Sequence, residues 1–332
     1  MLDERWSSDA EEVGQALRKL FSTESPPEQV RLAEAGPSGR NLQLEAHLRD
    51  FGLHEAEVSL DVLARVAFEI GYALAPVPFV ESMPALAVLR LENVAYGFDT
   101  LAPAALPQVA ILRDGNVRVE PLNGEPRRSS AGDVLVQHVS TGGGELVADG
   151  TAANRMTRLM RLLNAARMVG AGQALLRYGV DYAKERKQFG KQIGAFQAVA
   201  HKLADVAIGL EGAEVLLRKA AFTGFETASG DGAPSALFSL MVHAKAVQAS
   251  RLAATHVHQV FGGNGFAMEY DVQLYSRRIR SWAMRLGPQG AALAGIGRTI
   301  LDASSRDAVR HLWHHDAGMP IPRWAQEIDK QD

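Results

Sequence analysis

Apolar positions along the first 75 residues fall at three- to four-residue spacing in short runs, which predicts short amphipathic helices. Ser8-Asp9 can cap a helix reaching about Phe21, with Val13, Leu17 and Leu20 on one face. Pro26-Pro27 opens a second helix, and Gly36-Pro37-Ser38-Gly39 breaks the chain. Leu42 to Phe51 and Ala56 to Ala73 are helical by the same spacing, until Pro76 and Pro78 stop the pattern. From 79 to 150 the character changes. Glycine and proline rise, and Val109 to Val119 alternates around Asp114-Gly115, a hairpin signal because Asp-Gly supplies positive φ at a two-residue turn. Val134 to Val139 reads as a further strand, so the stretch predicts a small antiparallel β domain. Long helical patterns follow. Ala152 to Glu185 carries Met156, Leu159, Met160, Leu163, Ala166, Val169 and Leu176 on one stripe, and Phe196 to Ala228 carries Val199, Leu203, Val206, Leu210 and Leu217. Ser229 to Gly232 is a turn, a third helix runs from Pro234 to about Phe261, and a fourth from Gln289 to about Trp313. Three helices of this length plus a fourth predict a long antiparallel bundle.

The expected class is therefore mainly α with a small β middle domain: a helical domain at 1–78, β at 79–150, a four-helix bundle at 151–315 and a tail at 316–332. With 332 residues, 47% of them hydrophobic, the chain can build such a composite. No apolar run approaches the ~18–20 residues of a membrane span. Met1 to Ala10 is acidic and polar, unlike a secretory signal peptide, so a cytoplasmic location is expected. There are no cysteines, which excludes disulfides, thiolate catalysis and zinc-thiolate or iron–sulfur sites. Charge is split along the chain. Residues 1–60 hold 6 Lys/Arg against 12 Asp/Glu, residues 61–150 hold 6 against 11, and residues 151–332 hold 23 against 15. The basic half suits a phosphate-bearing ligand or an acidic partner, or it is simply the solvated face of long helices. It lacks the Lys/Arg block with interleaved aromatics of a nucleic-acid binder.

Two interruptions of the bundle carry chemistry. The first is Glu185-Arg-Lys-Gln-Phe-Gly-Lys-Gln-Ile-Gly194, followed by Phe196-Gln197. A cationic cluster beside glycines and an aromatic can hold a pyrophosphate, with arginine giving bidentate contact; taken alone it is equally a basic inter-helix loop. The second is Gln259-Val-Phe-Gly262-Gly263-Asn264-Gly265-Phe266. A helix C-cap explains one of its three glycines, and the others allow close backbone approach to a ligand. Gly142-Gly-Gly144 is not a phosphate loop, because no Gly-Lys-Ser/Thr follows.

In order and separation these segments resemble the C-terminal domain of the acyl-CoA dehydrogenase flavoprotein family. The resemblance runs from Arg167 through Tyr182-Ala-Lys-Glu-Arg-Lys-Gln-Phe-Gly to Asp205, and again over Gln259 to Tyr270. Glu69-Ile-Gly71 to Pro78-Phe79 is similar to the end of that family's N-terminal helical domain. The resemblance implies FAD bound across a subunit interface. Arg186 and Gln188 would contact the pyrophosphate of a neighbour's FAD, Phe189, Phe196 and Gln197 would line the same region, and Gln259, Gly262 and Gly263 would meet the adenosine half. Lys187 and Lys191 are expected to be solvated.

The family reaction takes an α-proton from an acyl-CoA with a glutamate whose pKa an apolar pocket raises. Counting from Glu269-Tyr270 puts Leu286 where that glutamate usually stands, and the other family position, just before Arg161, holds Met160. No catalytic residue is therefore expected in this chain. Arg161 matches an arginine near the family's thioester site and is the candidate substrate residue. The segments that hold the flavin ring are absent from residues 80–150. These departures resemble the smaller subunit of heteromeric actinobacterial steroid side-chain acyl-CoA dehydrogenases. That implies an α2β2 tetramer with a larger acyl-CoA dehydrogenase subunit and an acyl-CoA thioester substrate. The alternatives are a self-sufficient dehydrogenase with a relocated base and a flavin-free structural paralogue.

Other residues weigh less. His256 and His258 lie two apart on a helix and face different ways, whereas His311, His314 and His315 could share a metal face near the tail. Glu211 and Glu214 share a helix face and are weak candidates for a relocated base. Arg277 matches the family's arginine, and Arg278, Arg280 and Arg285 suit a subunit interface or CoA phosphates.

Overall fold

The structure is a computed structural model that describes residues 5–53, 58–97, 101–102, 106–122, 125–132, 134–137, 144–226 and 235–302. The N-terminal region folds as α1 (Ser8–Glu24), α2 (Pro27–Ala35), α3 (Leu42–Asp50), α4 (Leu60–Ala73) and α5 (Phe79–Leu89). The Ser7 hydroxyl caps α1 by accepting from the Ala10 N–H, and the Asn41 side chain caps α3 by accepting from Leu44 N–H. Helix α1 buries Ala10, Leu17 and Phe21 on one stripe. Helix α4 is different: Leu60 and every residue from Val62 to Gly71 are buried, so it is the central rod of this region.

Residues 79–89 correct the expectation of β structure from residue 79 onward. They form α5, with Phe79, Val80, Glu81, Met83, Pro84, Ala85 and Leu86 all buried. Burial on all sides removes the polar face that helical periodicity depends on, and Pro84 hides the rest of the signal.

The β region comprises β1 (Val94–Tyr96), β2 (Leu101–Ala102), β3 (Gln108–Arg113), β4 (Asn116–Pro121), β5 (Arg127–Arg128), β6 (Val134–Gln137) and β7 (Glu145–Asp149). Two small sheets run in the orders β1-β3-β4-β7 and β2-β6-β5. The β3–β4 hairpin turns at Asp114 (φ 50°) and Gly115 (φ 76°), as the Asp-Gly pair predicts. The region is not wholly antiparallel, since β1 pairs with β3 in parallel from Val94↔Gln108 to Tyr96↔Ala110. Of the triple glycine, Gly142 and Gly143 lie outside the described residues.

The C-terminal region is built on α6 (Gly150–Glu185), α7 (Gln197–Glu226) and α8 (Ala236–Phe261). The Asp149 carboxylate caps α6 through the Thr151 and Ala152 N–H groups. A short hairpin, β8 (Lys187–Gln188) and β9 (Lys191–Gln192), joins α6 to α7. After a 3-10 turn at Gly262–Phe266 come α9 (Val272–Met284) and α10 (Gln289–Leu301). The described part of α10 ends at Leu301. The Ser229–Gly232 turn, the tail and His311, His314 and His315 lie outside the described residues. Helices α6 and α8 run parallel in a fixed register: Ser250 Oγ donates to the Met168 carbonyl at 2.9 Å, and a Cβ on Gly179 would stand 3.1 Å from Val257. One continuous core joins the N-terminal helices to this bundle.

Candidate functional site

Both motifs singled out in the sequence lie at one end of the bundle. Tyr182, one turn before Arg186, stacks on Phe261 with ring centroids 3.9 Å apart, and its hydroxyl accepts from Asn264 Nδ2 at 2.9 Å. These contacts tie the end of α6 to the glycine loop. Lys202 on α7 reaches across to α8, where Nζ donates to Gln259 Oε1 at 2.7 Å.

The cationic hairpin is presented to solvent. Phe189 occupies the left-handed region (φ 52°) with its ring 91% exposed, and Gly190 follows at φ 80°. A bulky apolar residue in that conformation, left uncovered, is unfavourable in the isolated chain. Phe196 packs edge-on to Phe189 at 6.1 Å and carries Lys191 Nζ 4.3 Å above its ring. Lys191 therefore has a contact beyond solvation. Arg186, Gln188 and Gln197 are exposed, and Gln188 Nε2 donates only to the neighbouring Lys187 carbonyl. The Arg186 guanidinium pairs with no carboxylate among the described residues. At the glycine loop, Gly262 has φ 59°, and a Cβ at Gly262 or Gly263 would meet no atom within 4 Å. An unpaired guanidinium, exposed rings and open backbone fit a large phosphate-bearing, planar-ended ligand such as FAD.

The second region surrounds Leu286 and Met160, the positions at which the resemblance would place the family base. Leu286, half-buried after α9, and Met160, fully buried in α6, are both apolar. The nearby carboxylate Glu81 is occupied: it accepts from Arg167 Nη1 at 2.7 Å and from Arg285 Nη1. Arg167 also donates to Asn164 Oδ1 at 2.7 Å and lies 4.3 Å over the Trp282 ring. The other buried carboxylates are also arginine-bound: Glu45 by Arg40, Glu69 by Arg18 and Arg65, and Glu120 by Arg113. Burial holds Glu69 above its ordinary range despite both arginines. Glu211 and Glu214 both pair with Arg218. The arginines after the glycine loop mostly bind within the chain, since Arg277 and Arg278 both grip Glu34 of α2 and Arg285 grips Glu81. The two helical histidines do diverge. His256 Nδ1 faces the Lys202 carbonyl, and His258 Nε2 faces Ser276 Oγ at 2.7 Å. No cluster of metal-ligating side chains occurs among the described residues.

Sequence reasoning gave no role to His243 or Tyr96. Both sit near Arg161, and neither carries a motif. Burial first, and the Arg161 charge second, push His243 down to about 4. An unfolded histidine titrates near 6.5, so as pH falls from 6.5 to 4 the unfolded state takes a proton that the folded state refuses. Stability contributed by this site is intact above pH 7 and is lost through that window, by about 2 kcal/mol at pH 5. Urea unfolding at pH 7.5 and pH 5 checks this. His243→Phe should show a smaller acid loss than the parent, and an equal loss would refute the assignment.

Residues 149–301 match the family profile described as "Acyl-CoA dehydrogenase, C-terminal domain". This segment is therefore similar to the C-terminal domain of that family. The chain is 32% identical over 127 residues to acyl-CoA dehydrogenase IpdE2 of Mycolicibacterium smegmatis, covering 38% of each protein. It spans only about a third of the length of the first curated relatives it matches. The described residues as a set carry the acyl-CoA dehydrogenase fold. It superposes on the Tcur3481-Tcur3483 steroid ACAD (G363A variant) with a TM-score of 0.77 at 19% identity, covering 91% of this chain and 100% of that one. The same score and identity hold for the ChsE4-ChsE5 complex from Mycobacterium tuberculosis, covering 91% and 99%. The exposed hairpin and glycine loop both fall inside the matched segment. No helix among the described residues is long and apolar enough to cross a membrane.

Proposed function

We propose that this chain is one subunit of a heteromeric FAD-dependent acyl-CoA dehydrogenase, an α2β2 assembly with a larger dehydrogenase chain. In it, this chain completes the partner's flavin site and supplies no base. The observation that carries the reading is the contrast between its two regions. Arg186, Phe189 and the Gly262–Gly263 backbone stand open and unpaired. The base positions Leu286 and Met160 are apolar, and Glu81, the carboxylate bonded to the neighbouring Arg285, is locked between two arginines. Arg186 would bind the pyrophosphate of FAD with Gln188 beside it. Phe189, Phe196 and Gln197 would cover the cofactor's flank, and Gln259, Gly262 and Gly263 would receive the adenosine end. Bound FAD supplies the two-electron acceptor that no side chain of a cysteine-free protein provides. The α-proton of the acyl-CoA goes to a base on the larger chain, since Leu286 and Met160 accept none. A steroid side-chain thioester is the favoured substrate, supported by the likeness in fold to a steroid acyl-CoA dehydrogenase heteromer.

The test is co-expression with candidate larger dehydrogenase chains, followed by flavin quantification. The isolated chain should be colourless and the complex yellow. Arg186→Ala in the complex should weaken FAD binding about 10- to 100-fold, the value of one charge-assisted phosphate contact. A yellow chain that oxidises acyl-CoAs by itself would instead establish a relocated base. Unchanged FAD content in the Arg186→Ala complex would establish a scaffold without a flavin role.

A further inference from the structure

Arg161 is unusual among the sequestered arginines of this protein. Arg65, Arg167 and Arg278 each meet a carboxylate, on Glu69, Glu81 and Glu34 respectively. Arg161 is half-buried and forms no hydrogen bond or ion pair among the described residues, although burial pulls it below the ordinary arginine range. Removing a cation from water without a counter-charge is costly.

The surroundings are also donor-rich. Ser250 sits against Met168 in the parallel α6–α8 register, and two turns back along each helix stand His243 and Arg161. His243 is 1% exposed, and neither of its ring nitrogens has a hydrogen-bond partner. The Gly287 backbone lies beside the ring. A Cβ on Gly287 would meet nothing within 4 Å, while Gln289 Nε2 donates to the Ala244 carbonyl at 3.0 Å and holds that segment against α8. Tyr96 closes another side. Its hydroxyl pairs with Thr157 Oγ1 at 2.6 Å, and that hydroxyl in turn donates to the Ala153 carbonyl, so the tyrosine proton is committed. Among the described residues the guanidinium has no acceptor, and the imidazole has only the Gly287 backbone beside it, which leaves its other nitrogen free to carry a proton.

We propose that Arg161 and His243 form a carboxylate-binding site belonging to this chain itself, which takes a short-chain carboxylic acid with one oxygen on the guanidinium and the other on the imidazole. Two donor groups match the two oxygens of a carboxylate. A phosphate would leave oxygens without donors, because the third polar group, Tyr96, is spent. The site needs neither flavin nor a second chain, so it stands independently of the complex proposed above. Arg161 is the one charged side chain acting on His243 among the described residues. A bound anion therefore favours the protonated imidazole, and carboxylate binding takes up a proton as pH falls.

Calorimetric titration of the full chain with butyrate, and with its neutral isostere butyramide, tests the site. Butyrate should bind and butyramide should not. Affinity for butyrate should rise about fourfold from pH 7.5 to pH 5.5, the linkage expected when an adjacent anion raises the imidazole pKa toward 6. Arg161→Gln should weaken butyrate at least tenfold. His243→Gln, which keeps an N–H donor but cannot titrate, should bind while losing the pH dependence. Absence of binding at 50 mM, equal affinity for inorganic phosphate, or retained affinity in Arg161→Gln would each overturn the proposal.

Discussion

Replacing Glu81 with glutamine should cost about 3–5 kcal/mol of unfolding free energy, the usual loss when a buried ion pair is left one-sided. Glu81 lies on α5 and is 3% exposed. Its carboxylate holds Arg167 of α6 and Arg285 at the end of α9, so a single negative charge serves two sequestered cations. Asn164 extends the network by donating to the Trp282 carbonyl at 2.9 Å while accepting from Arg167. Glutamine keeps the shape but carries no charge, and its one carbonyl oxygen replaces two charged acceptors while its NH2 faces guanidinium N–H groups. Both arginines then lose the negative charge that this carboxylate provides. Arg177→Ala is the contrasting change: that side chain is 74% exposed and 3.9 Å from Asp181, so its loss should fall within about 0.5 kcal/mol. Guanidinium unfolding of the two variants beside the parent checks both values. A loss under 1 kcal/mol for Glu81→Gln would show that the cluster contributes little. The network also pins Arg285, the residue before Leu286. Leu286 therefore follows directly on a residue fastened by structural ion pairing.

How far the sequence reveals these features depends on how local they are. The hairpin at Asp114-Gly115 and the stripes of α6 and α7 are legible because turn chemistry and helical period act within a few residues. The same holds for the cationic hairpin and the glycine loop, each of which keeps its chemistry within about ten consecutive residues. Helix α5 is concealed because a helix buried on every side has no amphipathic period. The parallel β1–β3 pair is concealed because strand direction is set by long-range pairing rather than by the strands themselves. The ionic network has no local signature at all. Glu81 and Arg167 are 86 residues apart and Glu81 and Arg285 are 204 apart. Arg161 and His243 meet only through the α6–α8 register, and a histidine on a helix gives no sign that its ring will be left without a partner.

Gly170→Ala should also be severely destabilising, by about 3 kcal/mol, the upper part of the range for overpacking a close-packed interior. A Cβ at Gly170 would fall 2.0 Å from the Phe68 carbonyl oxygen, and a Cβ at Gly71 would fall 1.9 Å from the Arg167 carbonyl oxygen. The two glycines are reciprocal, each letting the backbone of α4 or α6 approach the other. The obstacle is main chain, so no rotamer change relieves it and the helices must separate. Separation would also loosen Arg167 from Glu81, because Arg167 lies within a turn of Gly170. Gly71→Ala should therefore cost a similar amount, and the double variant less than the sum, since the first methyl already opens the space the second needs. Gly209 in α7 supplies the opposite sign. A Cβ there meets only ordinary contacts at 3.8 Å and beyond, so Gly209→Ala should gain about 0.5–1 kcal/mol by restricting the unfolded chain. Chemical denaturation of the four variants separates the cases. Gly170→Ala with parental stability would mean that α4 and α6 lie further apart than this crossing requires. The N-terminal helices would then be held to the C-terminal bundle by the Glu81 cluster and side-chain packing alone.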